Sequence, residues 1–249
     1  MRDAADILLQ LPRNPCHFPA IMIIRRSLCL AAAAAIAASL SSCAVKNSSG
    51  GSGLAAYQAY DLPAKLPTNP SNVRVKVSLS KQRTYVMEGN EVLMAMPVSV
   101  GTSSNPTPSG NFRIFNKDAT RRANTHGYAY SGDQVRQTYL SKKPAGWSFK
   151  GTPMPYWVEF KSAYGFHTGW VKHQPCTHGC IRMHENLAPK FFRLVSVGTP
   201  VNIAHSQPED ATHGNIPLPP DAGPLPDYNV REMYVDGGYF TRHKAPKFN

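Results

Sequence analysis

Val73-Arg74-Val75-Lys76-Val77-Ser78-Leu79 alternates an apolar residue with a polar one along its whole length. A period of two is the mark of a β-strand with one face in a core and the other toward water. Thr84-Tyr85-Val86-Met87 and Glu91 to Val100 read as two more strands, and Gly89-Asn90 between them is a hairpin turn pair. Beyond a turn at Thr107-Pro108-Ser109-Gly110, alternation resumes from Asn111 to Asn116 through Phe112 and Ile114. Met154-Pro155-Tyr156-Trp157-Val158-Glu159-Phe160 leads into another strand, Tyr164 to His167 continues the region, and Pro200 to Ala204 closes it. One helix stands out. Leu187, Phe191, Leu194 and Val195 recur at helical spacing, with Asn186 expected as its cap, Pro189 in its first turn and Gly198 at its stop. The fold expected is mainly β with one main helix, and no internal repeat is visible.

Outside this pattern the chain changes character. Lys117 to Gly151 is polar and lacks clear periodicity, so a long excursion is expected there, serving as a lid or substrate-binding flap. Its Tyr128, Tyr130, Tyr139 and Trp147 read as the excursion's own small core in preference to a substrate-facing aromatic surface, and Arg121 and Arg122 as solvated or as partners for carboxylates. Residues 43–71 read as a flexible tether, with Ser48-Ser49-Gly50-Gly51-Ser52-Gly53 at its centre. Residues 206–249 read as a proline-rich C-terminal tail, extended on the surface with little core of its own.

Residues 1–42 carry an export signal. Met22 is the expected initiator, Arg25 and Arg26 form a positive region, and an alanine-rich apolar run follows from Leu28 to Leu40. Such a run rises only ~20 Å as a helix, against a hydrocarbon core of ~30 Å, so it is a signal peptide rather than a membrane span. Leu40-Ser41-Ser42-Cys43 resembles a bacterial lipobox. That resemblance implies lipidation of Cys43, a lipid anchor to the membrane, and a periplasmic location on the outer membrane.

The formal net charge is +12. Without residues 1–42 it is still +10, so the basic excess belongs to the mature chain. A basic protein suits nucleic acid, anionic lipid or an acidic polymer. Zinc-finger spacing, a helix-turn-helix pattern and RNA-binding aromatic signatures are all missing from the sequence, so nucleic acid is not an expected partner. A basic surface facing an anionic cell envelope needs no motif. Of the five cysteines, Cys16 and Cys29 are expected to leave with the leader and Cys43 to be acylated, which leaves Cys176 and Cys180. Two cysteines four apart are not a disulfide framework. Cys176 is read as a small buried residue in preference to a redox partner of Cys180.

The chemistry concentrates in His167-Thr168-Gly169 and Cys176-Thr177-His178-Gly179-Cys180-Ile181-Arg182-Met183. Acyl transfer by cysteine needs a thiolate, a base, donors for the oxyanion and a group that orients the base. These residues supply all four. A neighbouring imidazole is expected to raise the thiolate fraction of Cys180. Gly179 allows close backbone approach, and the N–H groups of His178, Gly179 and Cys180 are candidate oxyanion donors. The rival reading is zinc, since His167, His173, Cys176, His178, Cys180 and His184 are crowded ligand types, but they lack paired finger-like spacing and no metal or cofactor is expected.

His178-Gly179-Cys180-Ile181-Arg182-Met183, with His167-Thr168 upstream, closely resembles the L,D-transpeptidase catalytic domain, also called the YkuD domain. Thr107-Pro108-Ser109-Gly110-Asn111-Phe112-Arg113-Ile114 matches a second hallmark of that family, and Met154-Pro155-Tyr156 a third. The resemblance covers residues 72–204 and implies a β-sandwich or barrel with its main helix after the cysteine. It implies Cys180 as nucleophile and His167 as proton donor and acceptor, with Thr168 orienting the histidine. His178 would shape the pocket, and Arg182 would pair with a carboxylate or brace the loop. Thr177 stands where the family commonly has serine, and His167-Thr168-Gly169 where it often reads His-Gly-Thr. The implied reaction is attack on the meso-diaminopimelate–D-alanine bond of a peptidoglycan tetrapeptide stem. An amine of a second stem, or of an outer-membrane protein, would then resolve the thioester, and water as acceptor would give L,D-carboxypeptidase activity. A catalytically inactive wall-binding module is the remaining alternative.

Overall fold

The structure is a computed structural model and describes residues 53–221 and 229–249. The export signal, Cys43 and the glycine-serine run before Gly53 lie outside the described residues.

Among the described residues, twelve strands form two sheets. Nine of them run in the order β4-β12-β1-β2-β3-β11-β10-β9-β5: Gly110–Arg113 (β4), Pro200–Ala204 (β12), Val73–Ser78 (β1), Arg83–Glu88 (β2), Glu91–Ser99 (β3), Ile181–Met183 (β11), Tyr164–Thr168 (β10), Trp157–Lys161 (β9) and Asn116–Asp118 (β5). The alternation that marks β1 is realised directly: Val73, Val75 and Val77 are buried, while Arg74 and Lys76 reach outward. Neighbours pair antiparallel except β1 with β12 and β10 with β11, which run parallel. The sheet curls nearly shut. Its two edge strands, β4 and β5, are separated by only Ile114 and Phe115; the Ile114 N–H donates to Thr199 O and the Phe115 N–H to Glu159 O, each at 3.0 Å. Two consecutive residues therefore bind opposite margins of one sheet, and such closure removes exposed edges.

Helix α2, Ala188–Leu194, follows β11 and fills the interior of the curl with Phe191 and Leu194, joined by Leu187 and Val195. Its Pro189 lies at the start, as expected, but Asn186 does not cap it. The Asn186 amide instead donates to Gln58 O and Tyr60 O at 2.8 and 2.7 Å, and Leu187 holds the cap position. Nor does Gly198 stop the helix, which ends at Leu194 with Val195 already extended.

Three further expectations need correction. The excursion is not irregular: Arg122–Ser131 (β6), Gln134–Tyr139 (β7) and Ser148–Pro153 (β8) form a three-stranded sheet in the order β7-β6-β8. Its periodicity is masked because β6 shifts register against β8 between Arg122 and Gly127. A Cβ on Gly151 would also overlap the Ala123 carbonyl, so the strands approach where a patterned side chain would otherwise stand. Residues 53–71 are not a loose tether. Gly53–Ala59 is helix α1, the Tyr57 ring is only 1% exposed, and Ala64 joins the main core. Lys190 fastens this segment through Asp61 Oδ1 at 2.8 Å and Leu62 O at 2.6 Å. The C-terminal tail likewise is not simply extended on the surface. After a short helix, Asp210–His213 (α3), a π-helical turn at Arg231–Val235 and helix α4, Gly238–Thr241, bury Met233, Val235 and Tyr239.

Replacing Tyr57 with alanine removes a buried ring together with its hydrogen bonds to Gly169 O and from the Val171 N–H. A loss of about 3 kcal/mol in urea unfolding is expected. An unchanged midpoint would restore the tether reading of this segment.

Candidate active site

Parallel pairing of β10 with β11 sets Phe166 opposite Ile181 and His167 opposite Arg182. Cys180 immediately precedes β11, so this register brings the cysteine to the same sheet margin as the histidine. Both open on one cavity of about 500 Å³. Its walls include Thr168 from the main sheet, Met154 from the link between β8 and β9, His126 and Tyr128 from β6, and Tyr234 and Tyr239 from the C-terminal segment. Another concavity, of about 450 Å³, lies over β1, β4 and β12 and is lined by Arg74, Lys76 and Arg113. It contains no cysteine or histidine, so the chemistry belongs to the first.

The cysteine loop hangs from the end of β3. The N–H groups of Cys176 and Thr177 both donate to Val100 O, and Thr102 N–H donates back to Thr177 O. Thr177 then closes the loop on itself. Its hydroxyl donates to Cys180 O at 2.6 Å and accepts from Gly179 N–H at 3.1 Å. Of the three expected oxyanion donors, Gly179 is therefore already engaged. Gly179 is nevertheless required: its φ is +107°, and a Cβ would stand 2.5 Å from Tyr164 Cε1. The Thr107 hydroxyl accepts from Gly101 N–H at 2.8 Å, which ties the Thr-Pro-Ser-Gly motif to the same loop. Pro155 O accepts from Thr168 N–H at 2.9 Å, so the Met-Pro-Tyr motif holds the histidine strand.

His167 is 9% exposed, and its Nδ1–H donates to Thr168 O at 2.8 Å. This leaves Nε2 as the nitrogen available for proton exchange. Thr168 thus orients His167 through its carbonyl, while its hydroxyl meets Nε2 of His243 at 3.0 Å. Burial, reinforced by the charge of Arg182, lowers the His167 pKa to about 3. Burial also pushes the Cys180 thiol above its usual value, against the opposing influence of the Gly165 backbone and Arg182. The resting pair is accordingly neutral thiol and neutral imidazole, not the enriched thiolate expected from the sequence. Cys180 Sγ lies 3.8 Å from Ala163 O, a neutral acceptor suited to a protonated thiol.

Arg182 lies across Gly169 and points Nη1 at Cys176 Sγ, 3.7 Å away, so it braces the loop. Both cysteines are free thiols. His178 is exposed at the cavity rim. The crowded histidines diverge: His184 Nε2–H donates to Tyr57 O at 2.8 Å and His173 Nε2 to Pro219 O at 2.8 Å. Among the described residues no three His, Cys, Asp or Glu side chains form a metal-ligand group, so the zinc alternative lacks a donor set. Tyr128 is not confined to the excursion's core. It lines the cavity and stacks on Tyr234 at 4.9 Å with planes 6° apart. Arg122 is not merely solvated, since Nη1 donates to Tyr234 O at 2.7 Å.

Sequence reasoning missed Tyr57, His126, Tyr234, Tyr239 and His243. A signal was present for the C-terminal ones: Met233, Tyr234, Val235, Tyr239 and Phe240 cluster in a segment that a solvated tail would leave polar.

A thiol and a buried imidazole opening on one groove is the arrangement of a cysteine acyltransferase. Residues 72–203 match the YkuD L,D-transpeptidase catalytic domain, and the chain belongs to that family. It is similar to L,D-transpeptidase 1 of Mycobacterium tuberculosis, at 29% identity over 129 residues, 51% of this chain and 48% of that protein. The chain thus spans about half the length of the curated relatives it matches. Similar solved structures include an L,D-transpeptidase from Mycobacterium smegmatis, with TM-score 0.41 and 21% identity over 53% of this chain and 58% of that one. One from Stackebrandtia nassauensis has TM-score 0.41 and 21% identity over 63% and 66% of the respective chains.

Two pH responses follow from this geometry. Because burial holds the Cys180 thiol up, its alkylation by iodoacetamide is expected to rise steadily through and beyond pH 9, with no plateau at low pH; a plateau below pH 7 would show a thiolate–imidazolium pair. Burial lowers His167 to about 3 and His184 and His243 to about 4 in the folded chain. The unfolded chain, with histidines near 6.5, binds protons first as pH falls. Stability is therefore full above about pH 6.5 and declines toward pH 4, partly offset by Glu185, whose carboxyl burial pushes up. Melting temperatures measured at pH 7.5, 6.0 and 5.0 should fall in that order, and a flat series would contradict the buried neutral histidines.

Proposed function

We propose that this protein is a cysteine L,D-transpeptidase of peptidoglycan, with Cys180 as nucleophile and His167 as general base and acid. The observation that carries the reading is the convergence of Cys180 and His167 on one cavity through the parallel pairing of β10 and β11. The donor is a tetrapeptide stem, attacked at the carbonyl between meso-diaminopimelate and D-alanine. As Sγ attacks, His167 Nε2 takes the thiol proton. Since the resting pair is neutral, proton transfer accompanies attack rather than preceding it. The imidazolium so formed keeps its Nδ1–H on Thr168 O, which stabilises the positive charge. With Gly179 N–H held by Thr177, the amides of His178 and Cys180 remain the candidate donors to the oxyanion.

Collapse of the tetrahedral intermediate breaks the C–N bond, and the His167 proton goes to the departing D-alanine amine. The thioester is then opened by the side-chain amine of a second stem, whose proton returns through His167 to the thiol. Arg182 keeps the loop in place behind the reacting atoms. Export by residues 1–42, lipidation of Cys43 and anchoring at the periplasmic face of the outer membrane belong to the same proposal. They would set the cavity beside the wall, and the basic charge of the mature chain suits that surface. An outer-membrane protein bearing a lysine would be an acceptor of the same chemistry.

Incubation with a purified disaccharide-tetrapeptide should release D-alanine and give a cross-linked dimer by mass spectrometry, undiminished by excess chelator. Cys180→Ser should lower turnover by at least about 10³-fold, the scale of losing a nucleophile. D-alanine release without dimer would point to water as acceptor, and turnover that survives in Cys180→Ser would refute the mechanism.

A further inference from the structure

We propose that residues 229–249, outside the family domain, complete the active site, with His243 a positioning residue that fixes the general base through Thr168. The inference rests on the transpeptidase reading for its reaction, but its geometry does not.

Thr168 is 1% exposed and clamped at three points. Its N–H is held by Pro155 O, its carbonyl receives His167 Nδ1–H, and its hydroxyl meets His243 Nε2 at 3.0 Å. A buried hydroxyl without a partner is costly, so the imidazole stabilises this one rotamer of Thr168. The same residue's carbonyl sets the plane and tautomer of the His167 ring. Holding the side chain therefore holds the base, the logic by which an outer partner orients a functional histidine.

His243 is itself fixed. Its ring stands edge-on to Tyr156, with centroids 4.9 Å apart and planes at 72°. The adjacent Arg242 pairs with Glu185 at 2.7 Å, with side chains 11% and 5% exposed, directly after the cysteine strand. A buried ion pair of this kind is valuable for register, because separating the partners is costly. Further up the segment, Lys150 Nζ donates to Val235 O at 2.9 Å. Arg122 and Tyr128 grip Tyr234 as described, so one strap is held by both sheets. Burial keeps the His243 imidazole neutral. A neutral ring meets Thr168 without placing a positive charge next to His167, which must accept a proton.

The test follows the His167 ring by ¹⁵N NMR alongside kcat and KM for the tetrapeptide donor. Wild-type protein should show a single Nδ1–H tautomer. His243→Ala should mix tautomers and lower kcat about fivefold, the worth of one hydrogen bond of about 1 kcal/mol, while KM stays within about twofold. His243→Gln, which keeps a polar partner for the hydroxyl, should restore both. Thr168→Val should reproduce the defect, and adding His243→Ala to it should cost nothing further. A single tautomer and unchanged kcat in His243→Ala would overturn the proposal. If that variant does not fold, a normal ring signal and kcat in Thr168→Val would do the same. Absence of turnover in the wild type would defeat the transpeptidase reading instead, and the ring signals would still decide the clamp.

Discussion

Pairing of two short parallel strands is the constraint on which the site depends. β11 is three residues long, and its register against β10 sets His167 beside Arg182 and brings Cys180 to the same margin. A slip by one residue would turn every side chain of β11 to the opposite face. The surrounding structure prevents this. Ile181 and Met183 are fully buried, β3 pairs on the other side through Val98 and Ser99, and α2 packs Phe191 against Phe166 at 4.7 Å. The core that stabilises the sheet is thus also what sets Cys180 and His167 on one cavity.

The electrostatics follow from that burial. Desolvation disfavours charge on both His167 and Cys180, in opposite directions on the pKa scale, and leaves a neutral pair at rest. Arg182 adds to the effect on His167 and eases the thiol slightly, without reversing either. A site of this kind spends little stability on a buried ion pair before substrate arrives. In the proposed mechanism charge develops only as the thiol attacks, where the Thr168 carbonyl already accepts from His167 Nδ1–H.

Much of this was legible in the sequence where chemistry or alternation is local. The valines of β1, the hairpin at Gly89-Asn90, the apolar stripe of α2 and the loop around Gly179 each carry their cause within a few residues. The Thr-Pro-Ser-Gly and Met-Pro-Tyr motifs were visible too, though only the structure shows that they brace the cysteine loop and the histidine strand. What escaped was long-range. Tyr57 is buried because Gly169 and Val171, over a hundred positions away, supply its partners. The glycine-permitted approach of β6 and β8 hides their period. His243 is meaningful only beside Thr168, 75 residues earlier. The upward push of burial on the Cys180 thiol was hidden for the same reason, since desolvation is a property of the packed fold and not of neighbours in sequence.

The most direct measurement of the central claim uses a carbapenem, whose strained lactam carbonyl is an acyl donor that needs no stem peptide. Intact-mass spectrometry over time should show one covalent adduct per chain, mapped to Cys180, absent in Cys180→Ser and formed far more slowly in His167→Ala. An adduct that survives Cys180→Ser, or forms at the wild-type rate without His167, would contradict the pairing of this thiol with this imidazole.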